Sequence, residues 1–184
     1  MLELLALGSD EAAAREVATR VGGIACVSGA GESDRRPYST LVRASTDNIE
    51  AISEVADIAL HVAFARVIKA LDGPPPPERV IASFPLIHHP DLTHRQADDH
   101  WRDIHGPLAY ASHSAMCDYT QLSIVATISG RELDGVALCA FPTRDDLRDR
   151  FFNDDEARAA IEADVASFAN LEKSPRRVVL TQDI

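Results

Sequence analysis

The sequence predicts an α+β fold in which two βαββαβ units close one pseudo-symmetric barrel. Three observations carry that expectation. Four successive prolines, Pro74 to Pro77, follow Asp72-Gly73 and split the 184-residue chain; such a run holds an extended conformation and cannot continue a helix. The stretches on either side read in the same order of strands and helices. Each stretch also has one apolar sheet face to cover, and two in one chain bury those faces against each other. The expected division is a first unit over residues 1–72, a semi-rigid linker over 73–78 and a second unit over 79–184.

In the first unit, Leu2–Leu7 is a short apolar run suited to a strand. Asp10–Val21 has helical composition, with acidic residues at its start and Gly22-Gly23 as its stop. Ile24–Ser28 reads as a strand, Gly29–Pro37 as a polar loop and Tyr38–Ala44 as the next strand. Thr46 or Asp47 caps a helix through Asp57. Leu60–Leu71 suits a helix or a strand, and His61, Val62, Phe64 and Val67 favour the strand. The order is that of a ferredoxin-like unit.

The second unit repeats it. Val80–His88 is a strand, Leu92 to about His113 a helix, and Tyr119–Ile128 a strand. Ser129-Gly130 and Asp134-Gly135 bracket a turn before the strand Val136–Phe141. A helix or helix pair over Arg144–Asn170 leads to the closing strand Arg177–Gln182. The two halves share periods but hardly any residues.

A net charge of −11 argues against nucleic acid, whose binders concentrate Lys and Arg. No segment approaches the roughly 20 apolar residues of a membrane helix, and the first residues lack the basic and apolar regions of a signal peptide. Cys26, Cys117 and Cys139 are odd in number and widely spaced, a pattern of reduced thiols that leads us to expect a cytoplasmic protein. No Gly-rich phosphate loop is present, so no nucleotide cofactor is expected.

The candidate site centres on HWRDIHGPLA. Trp101 and His105 lie four residues apart, on one helical face, just before Gly106-Pro107. Histidine titrates near neutral pH, so an indole wall beside it suits proton transfer in a small-molecule pocket; core packing is the competing reading. Pro107 disfavours helical geometry at Gly106, which places His105 at an expected break in the helix. Tyr119, Gln121, Ser123 and Thr127 share one strand face by the period of two, a polar row expected to face a cavity inside the barrel. One of His88 and His89 is expected to face the same way. Arg66 is a candidate for binding a carboxylate or enolate. The histidine spacings repeat no metal-ligand pattern, so no metal is expected. His94 and His100 are read as solvated on a charged helix, and the acidic run Asp145 to Asp164 as a solvated face.

From Phe84 to Gln182 these elements resemble the EthD family of dimeric α/β-barrel proteins. FPLIHHPDLTHRQADDHWRDIHGPLA resembles its strand, basic residue and Trp-x-x-x-His-x-Pro-Leu pattern. CDYTQ resembles its strand-opening Arg-Tyr-x-Gln, DGVALCAFPTRDDLRDRF its Asp-Gly-Val-Ala strand and following helix, and RRVVLTQDI its closing strand. Asp118 departs from a usual basic residue, Gly106 from a frequent Ala, and His88-His89 from a common Lys or Arg. The first half resembles the family in element order alone and is read as a degenerate unit standing in for a partner subunit. The resemblance implies a cofactor-independent lyase, dehydratase, cyclase or isomerase in a catabolic or polyketide-type pathway.

Together these readings give the expected function: His105 moves a proton on a small, largely apolar carbonyl or hydroxy compound, with Tyr119 as its catalytic partner. Trp101, His88, His89, Gln121, Ser123 and Arg66 form the expected substrate-binding set. A non-catalytic protein that holds a hydrophobic metabolite in the barrel, and a cofactor-independent oxygenase, are the alternatives. Both a monomer and a homodimer stay open.

Overall fold

A computed structural model describes residues 1–28 and 36–182; most of the polar loop expected over Gly29–Pro37 lies outside them. Eight strands close one barrel: β1 (Leu2–Gly8), β2 (Ile24–Val27), β3 (Thr40–Ala44), β4 (Ala59–Lys69), β5 (Val80–Leu86), β6 (Asp118–Gly130), β7 (Gly135–Phe141) and β8 (Val178–Gln182). Their order around it is β1-β3-β2-β8-β5-β7-β6-β4, and every pairing is antiparallel. Each half therefore contributes the same arrangement, β4-β1-β3-β2 and β8-β5-β7-β6, the expected ferredoxin-like order. The halves join by a long β4–β6 ladder on one side and a two-residue β2–β8 pairing on the other.

The helices lie outside the barrel. Helix α1 (Glu11–Val21) is capped by the Asp10 side chain on the Ala13 N–H and stops at Gly22, whose left-handed backbone closes the C-terminus. The helix expected through Asp57 is shorter: a 3₁₀ turn over Thr46–Asn48, capped by Ser45, leads into α2 (Ile49–Ser53). Both helices cover an apolar face of the first four strands built around Leu4, Val17, Val42 and Ile52. The second half places α3 (His94–His100), α4 (Gly106–Ser112), α5 (Arg144–Asp149) and α6 (Asp155–Phe168) over its own outer sheet face. Thr93 begins α3 with a reciprocal capping box to Gln96.

The barrel interior is a packed core rather than a cavity. Leu5, Leu7, Leu41, Ile81, Leu122, Ile124, Val136 and Leu180 fill it, all buried. Tyr38 and Ser83 hydrogen-bond inside it at 2.6 Å, and the fully buried His61 bonds Thr127 through Nδ1 at 3.0 Å. This corrects the expected polar row on β6. Tyr119, Gln121 and Ser123 alternate with the interior residues Leu122 and Ile124, so they face the helices instead. Register shifts in the β4–β6 ladder then skip Val125, pairing Ile124 with Ala63, Ala126 with Val62 and Thr127 with His61. An extra residue in one strand reverses the alternation beyond it, which separates Thr127 from the other three and turns it into the barrel.

Among the described residues no helix is long and apolar enough to cross a membrane.

Candidate functional site

Between the outer face of β5, β6 and β7 and the helices of the second half lies a cavity of about 440 Å³. Phe84, Leu86, Ala137 and Cys139 form its floor; Ile161, Val165 and Phe168 of α6, with Phe151 and Phe152 before it, form much of the remaining wall. Into this apolar space project Trp101, His105, His113 and Tyr119. Few polar groups in a mostly apolar pocket is the usual build of a small-molecule site.

The helix that carries Trp101 and His105 does not break at Gly106-Pro107, contrary to expectation. It widens into a π-helical turn over Trp101–His105 and resumes as α4. Pro107 has no N–H for the carbonyl of Asp103, and the register slips so that the Gly106 N–H reaches the Trp101 carbonyl, five residues back. Gly106 stays helical, at φ −54° and ψ −56°, because it has no Cβ to collide with the proline ring. Trp101 and His105 remain on one face, 2% and 8% exposed. Gly135 makes room for the indole: a Cβ there would lie 2.4 Å from the ring.

Asp164, on α6, orients His105. Its Oδ2 sits 2.7 Å from His105 Nδ1, and its Oδ1 sits 2.7 Å from His100 Nε2. A carboxylate accepts, so His105 carries its proton on Nδ1 and, when neutral, offers the lone pair of Nε2. Burial pushes the His105 pKa below the ordinary value; the bond and charge of Asp164 oppose this without reversing it, and His100 adds to the lowering. The imidazole is therefore neutral at pH 7 and poised as a base.

Tyr119 has a complementary set of bonds. Its oxygen accepts from Trp101 Nε1 at 3.2 Å and from Gln121 Nε2 at 3.0 Å. Gln121 Nε2 also donates to the Trp101 carbonyl at 2.9 Å, which fixes the amide orientation. With two donors on its oxygen, Tyr119 keeps its own proton for a ligand, and burial raises its pKa so that the phenol stays protonated.

Histidine 113, at the end of α4, donates through Nδ1 to the Phe151 carbonyl and packs against the rings of Phe151 and Phe152. Burial lowers its pKa, which the Phe151 bond only partly offsets, so it too is neutral at pH 7. Cys139 also lines the cavity, but burial pushes its thiol up to about 12, so it is no nucleophile.

Residues 89–172 match the family model described as the EthD domain. This segment is an EthD domain. No curated protein matches the sequence. Solved structures that share the fold include an anthrone oxidase-like protein, at 14% identity and a TM-score of 0.59 over 100% of this chain and 90% of that one, and a Fusobacterium nucleatum subsp. nucleatum protein with a provisional monooxygenase name, at 9% identity and a TM-score of 0.60 over 98% of this chain and 91% of that one.

The EthD domain holds Trp101, His105, His113, Tyr119 and Asp164. Of the expected site residues, Trp101, His105 and Tyr119 meet at the cavity, and Gln121 lies directly behind them. The others do not line it. Arg66 is paired through both guanidinium ends with Asp98, at 2.6 and 2.9 Å, and lies 5.5 Å from the Trp101 ring centre, bracing the indole. Burial raises the Asp98 pKa, yet the bonds from Arg66 and Ser123 and the charge of Arg66 hold it below its ordinary value. Ser123 is thus engaged with Asp98. His88 lines a separate, more open depression with His94 and Asp134, and bonds the His89 carbonyl. His89 binds back to the Phe168 carbonyl through its own N–H, which pins the start of the domain to the end of α6.

Two solvated assignments are also corrected. His100 stacks on Phe168 with ring centres 5.1 Å apart and reaches Asp164, because α6 packs against its face of the helix. Asp164 faces inward with its side chain 11% exposed. Its signal was in the sequence: it stands three residues after Ile161 and one before Val165, within the apolar stripe of α6 that ends at Phe168. Among the described residues no cluster of three His, Cys, Asp or Glu side chains is placed to hold a metal ion.

Proposed function

We propose that the protein is an enzyme that abstracts a proton from a small, largely apolar carbonyl or hydroxy compound held in this cavity. The observation that carries the reading is the His105–Asp164 pair at 2.7 Å, which presents a neutral imidazole to an apolar pocket. Nε2 takes a proton from carbon next to a carbonyl; the imidazolium formed is stabilised by Asp164 through Nδ1–H. Tyr119 donates its hydroxyl proton in a hydrogen bond to the oxygen on which negative charge collects. Trp101 and the phenylalanines exclude water, which strengthens both interactions.

The enolate so formed either breaks the bond to a β-hydroxyl, which leaves as water with the proton held by the His105 imidazolium, or closes a ring by attack on a second carbonyl whose oxygen takes that proton, the course of a lyase, dehydratase or cyclase that needs no cofactor. A second reading, addition of molecular oxygen to the same enolate, is favoured by the oxidase-like and monooxygenase names of the two structural neighbours. Both begin with one proton transfer. Anaerobic exchange of the methylene protons of anthrone, acidified by its ring carbonyl, into deuterated water tests that step. His105→Gln should slow the exchange by roughly 100- to 10,000-fold while remaining folded; equal rates for the variant and the wild type would refute the role. Oxygen uptake on adding air separates the two courses. A protein that only stores a hydrophobic metabolite would bind anthrone equally well with either side chain and exchange nothing.

A further inference from the structure

The cavity has a second, unused acceptor. His113 Nδ1 is committed as donor to the Phe151 carbonyl, so the neutral ring must present Nε2 as an acceptor. The hydrogen bond of the His113 ring is the one made by Nδ1, which leaves Nε2 free among the described residues, and His113 lines the cavity. The ring is held firmly. Phe151 and Phe152 pack on it at 4.6 and 5.1 Å, and Asn153 clamps the end of α4, donating to the Ala111 carbonyl and accepting from the Ser114 N–H.

His105 and His113 are eight residues apart on one helical run, which sets them roughly 12 Å apart along its axis. The cavity therefore meets a base on one turn of this run and a fixed acceptor about two turns further on, among mostly apolar walls. An acceptor in such a place is left unpaired by a purely apolar ligand, which therefore binds less tightly than one that donates to it. We propose that His113 is the specificity-determining residue of this site, accepting a hydrogen bond from a hydroxyl group at the end of a flat, apolar substrate remote from His105. This rests on the cavity being the substrate site, but not on the course of the reaction.

Equilibrium binding of naphthalene-2,6-diol, its monomethyl ether and its dimethyl ether tests the proposal. Trp101 is the only tryptophan and lines the cavity, so quenching of its fluorescence reports binding. In the wild type the diol should bind up to about tenfold more tightly than the monomethyl ether, the worth of one hydrogen bond. In His113→Asn, whose amide N–H replaces Nδ1–H toward Phe151 but whose oxygen stops short of the Nε2 position, that ratio should fall to about one. The preference for the monomethyl over the dimethyl ether should persist there, since His105 still accepts. His113→Gln, which restores an acceptor near the Nε2 position, should recover part of the first ratio. A wild type that does not distinguish diol from monomethyl ether overturns the proposal without any variant, as does an undiminished ratio in a folded His113→Asn. If the dimethyl ether binds the wild type as well as the diol does, the reading of the cavity as a hydroxyl-recognising site falls with it; loss of proton exchange in His105→Gln alongside failed discrimination at His113 leaves the catalytic reading standing alone.

Discussion

Replacing His61 should flatten the pH dependence of folding stability, because the barrel interior holds this ring without solvent. His61 is fully buried on β4 among the core residues Ala59 and Ala63, bonded through Nδ1 to Thr127, with Nε2 unpartnered. Burial lowers its pKa from 6.5 to about 4. Between these values the unfolded chain binds a proton that the folded protein does not, so stability is complete above about pH 6.5 and is lost as the pH falls toward 4. A shift of this size is worth about 3 kcal/mol in all, of which about 2 kcal/mol is lost between roughly pH 7 and pH 4.5. His61→Leu lacks the titration and differs otherwise by a pH-independent offset from the lost Thr127 bond. Urea unfolding of both proteins across this range gives the difference in stability at each pH, and carboxylates common to both cancel. The wild type should lose its margin relative to the variant by about 2 kcal/mol on acidification. Parallel profiles would mean that His61 titrates as if in water and that the barrel is hydrated, which would refute the packed interior.

Two further perturbations address the site. Gly135→Ala places a methyl group 2.4 Å from the Trp101 ring, so thermal unfolding should show about 1–3 kcal/mol of destabilisation from overpacking, and Trp101 fluorescence should shift as the indole moves; an unchanged spectrum would show that the ring does not depend on that glycine. Asp164→Asn removes the charge that raises the His105 pKa against burial. Proton-exchange rates should fall on the order of 100- to 10,000-fold at their plateau, and the acidic limb, which marks deprotonation of His105, should move to lower pH; a limb displaced upward would contradict the orientation of the pair.

Most of the fold was legible because local signals agree with the global arrangement. Asp10 and Gly22 delimit α1 by capping chemistry that any surroundings would preserve. The apolar runs of β1, β5 and β7 are buried almost throughout and read as strands covered on both faces, core on one side and helices on the other. Helix α2 is shorter than its sequence predicts because only Ile52 of its residues is buried, so packing supports little more than one turn. The bulge at Val125 has no marker of its own; it exists because β4 and β6 must stay paired from Ala59 to Lys69 while the barrel curves, a demand set by strands far apart in sequence.

The site was legible where one segment contains it and obscure where two segments meet. Trp101 and His105 share a helical face, so their spacing alone brought them together, and Tyr119 joined them through strand parity. Parity could not say which face of β6 met the cavity, because a closed barrel offers an inner and an outer apolar side with the same alternation. The polar row pointed out to the helices because the inner side was already filled by side chains from both halves. The same logic explains Asp164. An acidic residue in the apolar stripe of a helix is expelled to water unless a cation or hydrogen-bond donor waits inside, and the helical run packed against α6 gives Asp164 two imidazoles, His100 and His105. A carboxylate retained at such a position is thus itself a statement that its partners lie across the interface, and the base it orients is where the chemistry should be sought.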